Sequence, residues 1–212
     1  MKKRNLIFDL GGILLDIHPE RTFEAFASMG IDKALLTEKY TLANTTMLAY
    51  EMGNISSAEL CDYVTTLLPA GAEPMQREEL HKRIADAWCS LIGDLPLYKW
   101  QRLTELMSAG HNIYLLSNTN EIHWREIAKQ INALEGRPVE SYFTHIFLSY
   151  EMHMCKPDEK IFARVLEEAG LQACDTLFFD DSPANCEAAR KVGIESVLVE
   201  RNSAWGDFLL ND

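Results

Sequence analysis

The sequence has no long apolar run, no paired-cysteine motif and no excess of positive charge, and each absence excludes a class of protein. Charges such as Lys156, Asp158 and Glu159 interrupt every extended hydrophobic stretch, whereas a membrane-spanning helix needs about 20 apolar residues. Met1, Lys2, Lys3 and Arg4 look like the start of a secretory leader, but Asp9 cuts the apolar stretch that follows and no small-residue cleavage site appears. The expectation is a cytoplasmic chain. Cys61, Cys89, Cys155, Cys174 and Cys186 are odd in number, widely spaced and free of any Cys-x-x-Cys pair, which excludes a disulfide framework or structural zinc site. The histidines form no His-Glu-x-x-His pattern. Twenty Lys and Arg stand against 32 Asp and Glu, a formal net charge of −12. Such a surface repels polyanions, so neither nucleic acid nor an anionic membrane is an expected partner. A small phosphate ester remains compatible, because a bound metal and one lysine reverse the field inside a pocket.

What is present is an ordinary globular composition, 47% apolar and 25% charged over 212 residues. That length suits one domain, or a core carrying a smaller insert. Five short apolar runs read as strands: Asn5–Asp9, Asn112–Leu116, His145–Ser149, Thr176–Asp180 and Ser196–Val199. Their near-continuous Ile, Phe, Val and Leu suit strands covered on both faces. Helical spacing separates the last four, over Leu97–Ala109, Glu121–Leu134, Asp158–Ala169 and Pro183–Val192. Pro157 and Pro183 suit first-turn positions, and Gly110, Gly170 and Gly193 suit helix ends. The alternation predicts a doubly wound, Rossmann-like parallel α/β sheet.

Residues from about 17 to 92 contain no strand signal. Arg21–Ser28, Lys33–Ala43, Ser57–Leu68 and Arg77–Leu91 read as helices, with a capping box at Ser56 and Glu59. Met29, Met47, Met52, Met75 and Trp88 are expected to pack these helices together. The expected organisation is a core of residues 1–16 and 93–212, with a helical cap at 17–92 over the carboxyl edge of the sheet.

Open parallel sheets bind ligands beyond the carboxyl ends of their strands, and four predicted strand ends carry reactive groups. Asp9, followed by Gly11 and Gly12, is a carboxylate suited to nucleophilic attack or metal ligation, or equally an Asp-Gly turn residue. Ser117 and Asn118 can donate hydrogen bonds to a phosphoryl oxygen, although Asn118, Thr119 or Asn120 can instead cap the next helix. Lys156 precedes a proline that opens a helix and can neutralise an anion, though it can also be a surface lysine. Asp180 and Asp181 make a hard-oxygen site suited to Mg²⁺. A capping role for Asp181 or Ser182 accounts for one acid and not both. Cys155, beside Lys156, sits where a thiol pKa would fall, and no catalytic role is assigned to it. His123 and His153 are expected to pack or face solvent.

The order of these four segments resembles that of the haloacid dehalogenase-like hydrolase superfamily, over roughly residues 4–16 and 95–200, with residues 17–92 similar to its first type of cap. The resemblance implies that Asp9 is a nucleophile forming an aspartyl phosphate. It implies that Ser117, with Asn118 beside it, holds the phosphoryl group and that Lys156 bridges Asp9 and the phosphate. Asp9, the Gly11 carbonyl, Asp181 and Asp180 would then hold Mg²⁺. Phosphatases of that family usually carry a second, acid–base Asp two residues after the nucleophile. Here that position is Gly11, which has no side chain for the task. Asp9-Leu-Gly-Gly is similar to a subgroup of bacterial sugar-phosphate phosphatases reading Asp-Leu-Gly-Asn. The expected function is a Mg²⁺-dependent phosphatase of a small phosphorylated metabolite. A 2-haloacid dehalogenase-type hydrolase, a phosphosugar mutase and a weakened phospholigand-binding protein are the alternatives. Asp16 lies too far along the chain to be assigned as a replacement for the missing acid, and a cap residue such as His18 is a candidate contributor. The substrate and oligomeric state are not readable from the sequence.

Overall fold

The computed structural model describes residues 5–32, 45–70 and 75–203. Five strands, β1 (Asn5–Phe8), β2 (Asn112–Ser117), β3 (His145–Leu148), β4 (Thr176–Asp180) and β5 (Glu195–Leu198), form one sheet in the order β3-β2-β1-β4-β5. Every pairing is parallel. The chain therefore starts in the middle, builds outward through β2 and β3, then returns to the other side of β1. The switch point lies at the end of β1, where such sheets open a crevice. Phe8 pairs with Leu115 on one side and Phe179 on the other, so Asp9 emerges level with Leu116 and Asp180.

Both faces of the sheet are covered. Leu6, Phe8, Ile113, Leu115, Leu177 and Phe179 pack with Trp100, Leu103 and Leu106 of α5 (Leu97–Ser108) and Ile127 and Ile131 of α6 (Glu121–Glu135). The alternate residues Ile7, Tyr114, Leu116 and Phe178 pack with Ile161, Phe162 and Val165 of α8 (Glu159–Ala169) and Ala188 and Ala189 of α9 (Pro183–Lys191). This period-2 division explains why the strands read as apolar throughout.

Between β1 and α5 lie α1 (Pro19–Ser28), α2 (Thr45–Glu51), α3 (Ser57–Thr65) and α4 (Arg77–Cys89). They share an apolar cluster of Phe26, Met47, Tyr50, Leu60, Val64, Ile84 and Trp88, joined from the sheet side by Ile122. Glu59 completes the capping box of α3, its carboxylate accepting the Ser56 N–H at 2.7 Å. The two connections to the insert run side by side as an antiparallel ladder. Asp16 N–H donates to the Asp94 carbonyl (2.9 Å), Gly93 N–H to that of Asp16 (2.8 Å) and His18 N–H to that of Leu91 (2.7 Å). The expected helix at Lys33–Ala43 falls outside the described residues. Helix α2 has no counterpart in the sequence reading, because its seven residues are too few to display a helical repeat.

One local expectation needs correction. Pro157 is not in the first turn of α8. Asp158 is the N-cap, its side chain accepting the Lys160 N–H, and Pro157 precedes it, joined to Lys156 by a cis peptide bond. A short helix, α7 (Ser149–Met152), follows β3 directly.

Candidate active site

Lys156 is the hub. Its side chain is 1% exposed, and its ammonium lies 2.8 Å from Asp9 Oδ1, 2.7 Å from Asp180 Oδ2 and 2.9 Å from the Leu116 carbonyl. Three acceptors match the three donors of an ammonium, and they come from the ends of β1, β4 and β2. Burial lowers the proton affinity of this amine, but the two carboxylates outweigh it and raise its pKa. Asp9 is nearly as enclosed. Burial, opposed by Lys156 and reinforced by Asp180, pushes its pKa up to about 7.

Asp180 is fully buried. Besides Lys156, its oxygens accept the Ser182 N–H (2.7 Å) and the Asn185 amide (2.9 and 3.0 Å). Asp181 is held from outside by Arg201, whose Nε donates to Asp181 Oδ2. Gly12, at φ +79°, lies against that pair, and a Cβ there would stand 2.8 Å from Asp181 Oδ2. Carboxylate oxygens of Asp9, Asp180 and Asp181 lie within 4.8 Å of one another. Three acids that close repel unless a cation joins them. Two carboxylates with room for water suit Mg²⁺, which keeps part of its hydration. Asp9 and Asp181 offer two such carboxylates side by side. Asp180 is already engaged by Lys156, Ser182 and Asn185, so its part in such a site is that of a second carboxylate behind them.

Ser117 closes β2 and is buried. Its hydroxyl lies 3.5 Å from the Asn118 carbonyl, too long to engage it strongly. The amide of Asn118 takes another partner: its Nδ2 donates to the Lys156 carbonyl and its Oδ1 accepts the Lys156 N–H, both at 2.8 Å. The family resemblance implies a place for Asn118 beside Ser117 at the phosphoryl group; its side-chain amide clamps the main chain of the lysine. Capping of α6 belongs to Asn120, which accepts the His123 N–H at 3.0 Å. Ser182, the N-cap of α9, makes no side-chain capping bond.

The expectation for Cys155 is reversed. Burial raises its thiol pKa, and Glu51 and Asp158 add to the effect. Lys156 gives its ammonium to Asp9 and Asp180. His123 is buried, with Nε2 3.0 Å from the Trp88 carbonyl and Nδ1 3.0 Å from the Asn120 amide. Asp16 and His18 lie on the connecting ladder. Asp16 faces buried Lys99 at 3.7 Å, and His18 Nδ1 lies 3.3 Å from Glu20. Asn185, Arg201 and Ser149 carry no role expected from the sequence. Asn185 stands near the acid pair in the sequence, and no local pattern marks the other two.

A parallel sheet with a carboxylate at the tip of its first strand, a buried lysine bridging to a second acid, and an acid pair closing the fourth defines a class of hydrolase. The family model for haloacid dehalogenase-like hydrolases matches residues 3–193, and the chain belongs to that family. It is 27% identical over 203 residues to a D-ribitol-5-phosphate phosphatase of Bacteroides thetaiotaomicron, covering 95% of this chain and 94% of that one. Among solved structures it resembles a family member from the same organism in complex with magnesium and inorganic phosphate. That match has 35% identity and a TM-score of 0.87, and covers 99% of this chain and 100% of the other. A family hydrolase from Porphyromonas gingivalis, 27% identical, superposes with a TM-score of 0.82 over the whole of both chains.

Proposed function

We propose that the chain is a Mg²⁺-dependent phosphatase of a small phosphorylated sugar or polyol. The observation that carries this reading is the set of contacts around Lys156, which hold Asp9 beside an acid pair at one strand edge. The magnesium and phosphate in the related structure, and the D-ribitol-5-phosphate phosphatase relative, support the cation and the substrate class. Asp9, the main-chain carbonyl of Gly11 and Asp181 would hold the ion, with Asp180 behind them. When bound, Mg²⁺ would supply the positive charge that keeps these carboxylates ionised and offsets charge on the phosphoryl oxygens.

The residues of the chain do the rest. The Asp9 carboxylate attacks phosphorus in line with the leaving oxygen and becomes an aspartyl phosphate. Lys156 holds Asp9 in place and balances equatorial charge. Ser117 donates its hydroxyl to a phosphoryl oxygen. Water then attacks the aspartyl phosphate and restores Asp9. In this reading residues 1–16 and 93–212 form the catalytic core. Residues 17–92 are a cap that excludes water and selects the substrate, turning about the ladder at Asp16–His18. No helix among the described residues is long and apolar enough to cross a membrane, and none of the five cysteines is paired. Free thiols suit a reducing cytoplasm.

Hydrolysis of p-nitrophenyl phosphate and of a panel of sugar and polyol phosphates tests the reading, with Mg²⁺ and with EDTA, beside Asp9→Asn. Activity that requires both Mg²⁺ and Asp9 is expected. Wild-type turnover by Asp9→Asn would overturn it.

A further inference from the structure

Gly11 leaves the reaction without an acid to protonate the leaving group, and the space beside it is closed. A Cβ at Gly11 would stand 3.2 Å from Ile17 Cγ2 and 3.4 Å from Ile17 Cδ1, so an apolar side chain fills what an acid there would need. Asp16 and His18, already paired with Lys99 and Glu20 on the connecting ladder, are placed elsewhere.

The helical insert meets the sheet at a second seam. The last residue of α2 is Glu51. Its main-chain carbonyl lies 2.7 Å from the hydroxyl of Ser149, a fully buried residue at the end of β3. That same hydroxyl accepts the Thr119 N–H at 2.9 Å. One residue on, the Met52 carbonyl lies 2.8 Å from His153 Nδ1. The end of α2 is thereby pinned to the segments leaving β2 and β3, which also carry Ser117 and Lys156. The charge of Glu51 is felt at Cys155, the residue before Lys156.

The other acids along this seam are engaged. Glu121 accepts from the Ser57 hydroxyl, Glu151 accepts from Tyr150 at 3.1 Å, and Glu59 belongs to the capping box. The Glu51 carboxyl is half-buried and, among the described residues, has no hydrogen-bond or ion-pair partner. Burial raises its proton affinity, the condition of a carboxyl that must both give and take a proton near neutrality.

We propose that Glu51, carried in by the helical insert, is the proton donor and acceptor that Gly11 cannot be. The proposal rests on the phosphatase reading. As Asp9 attacks, the bond from phosphorus to the leaving oxygen breaks, and the Glu51 proton passes to that oxygen. The alcohol departs and Glu51 is left as a carboxylate. In the second half it takes a proton from the attacking water. The new phosphorus–oxygen bond forms, the bond to Asp9 breaks, phosphate leaves, and Glu51 is protonated again. The seam must be closed for this to operate, so the acid arrives only when the insert covers the site.

The test is single-turnover phenol release from a series of aryl phosphates, wild type beside Glu51→Gln and Glu51→Asp, with circular dichroism to confirm folding. A good leaving group needs little help from an acid and a poor one needs it fully. Glu51→Gln is expected to slow p-nitrophenyl phosphate several-fold and phenyl phosphate by about 10²-fold or more, the usual range for loss of a general acid. Glu51→Asp is expected to recover part of the deficit on phenyl phosphate. Equal loss on both esters, or a rise in KM alone, would make Glu51 a structural or binding residue and overturn the proposal while leaving the phosphatase reading intact. Wild-type protein with no Asp9-dependent turnover of any ester would overturn both.

Discussion

The side-chain amide of Asn118 grips the main chain of Lys156 at both its N–H and its carbonyl, each at 2.8 Å. The residue that follows Ser117 thus sets the position of the lysine that holds Asp9. Asn118→Ala removes both bonds and leaves two main-chain groups to find other partners, at a cost of about 1–3 kcal/mol. Activity is expected to fall at least tenfold, chiefly in kcat, because the ammonium loses its register between Asp9 and Asp180. Steady-state kinetics and thermal melts on the same preparation check this. Unchanged kcat would remove Asn118 from any positioning role.

Lys156→Met leaves Asp9 and Asp180 enclosed without their cation. Removing one partner from a buried ion pair destabilises by about 3–5 kcal/mol. In EDTA Asp9, whose pKa burial already pushes up to about 7 against the pull of Lys156, loses that opposing charge; its folded-state pKa stands still further above the unfolded value, so the folded state binds more protons and stability rises as pH falls. The variant is expected to melt closer to wild type at pH 5 than at pH 8. A deficit that grows on acidification would contradict the buried cluster.

Gly53 lies at φ +66°, and a Cβ there would stand 2.0 Å from the Tyr150 carbonyl oxygen. That is main chain against main chain, so no side chain can turn aside. Gly53→Ala is expected to lift the end of α2 from the core, with a loss of about 1–3 kcal/mol and a marked fall in kcat/KM. Protease sensitivity at the seam, compared with wild type, reports the displacement. A variant that melts and turns over like wild type would show that the insert does not dock there.

His123 is buried between Trp88 and Asn120, stacked on the Trp88 ring at a centroid distance of 5.4 Å. Burial lowers its pKa to about 4, against an ordinary value of about 6.5. Between those values the unfolded chain binds a proton that the folded chain refuses. The stability contributed by neutral His123 is therefore complete above about pH 6.5 and is lost as pH falls toward 4. Over that range the loss reaches about 3 kcal/mol at 1.36 kcal/mol per unit. Chemical denaturation of wild type and His123→Asn from pH 4 to 8 should show the two curves converging on the acid side. A pH-independent difference would place the proton elsewhere.

The strands and most helices were legible because their signals are local. Five apolar runs, Ser56 with Glu59, and Pro183 at a helix start each declare themselves within a few residues. Asp9, Ser117, Lys156 and the pair Asp180 and Asp181 were legible for the same reason, since each closes or follows an element and faces the edge where such sheets bind ligands. Helix α2 was missed through brevity. The partner of the Asn118 amide was not legible because it lies 38 residues away, beyond any local pattern.

The sequence by itself determined the strands, most of the helices and which reactive groups stand at strand ends, because backbone propensity and apolar periodicity act over a few residues. Only the tertiary structure decided what those groups touch. The strand order put Asp9 between the ends of β2 and β4, Lys156 became a buried cation shared by two carboxylates, and burial raised the pKa of the Cys155 thiol. The contact between Glu51 and Ser149, 98 residues apart, exists because α2 folds back against the end of β3. Such contacts depend on packing between elements distant in sequence, and no single segment carries them.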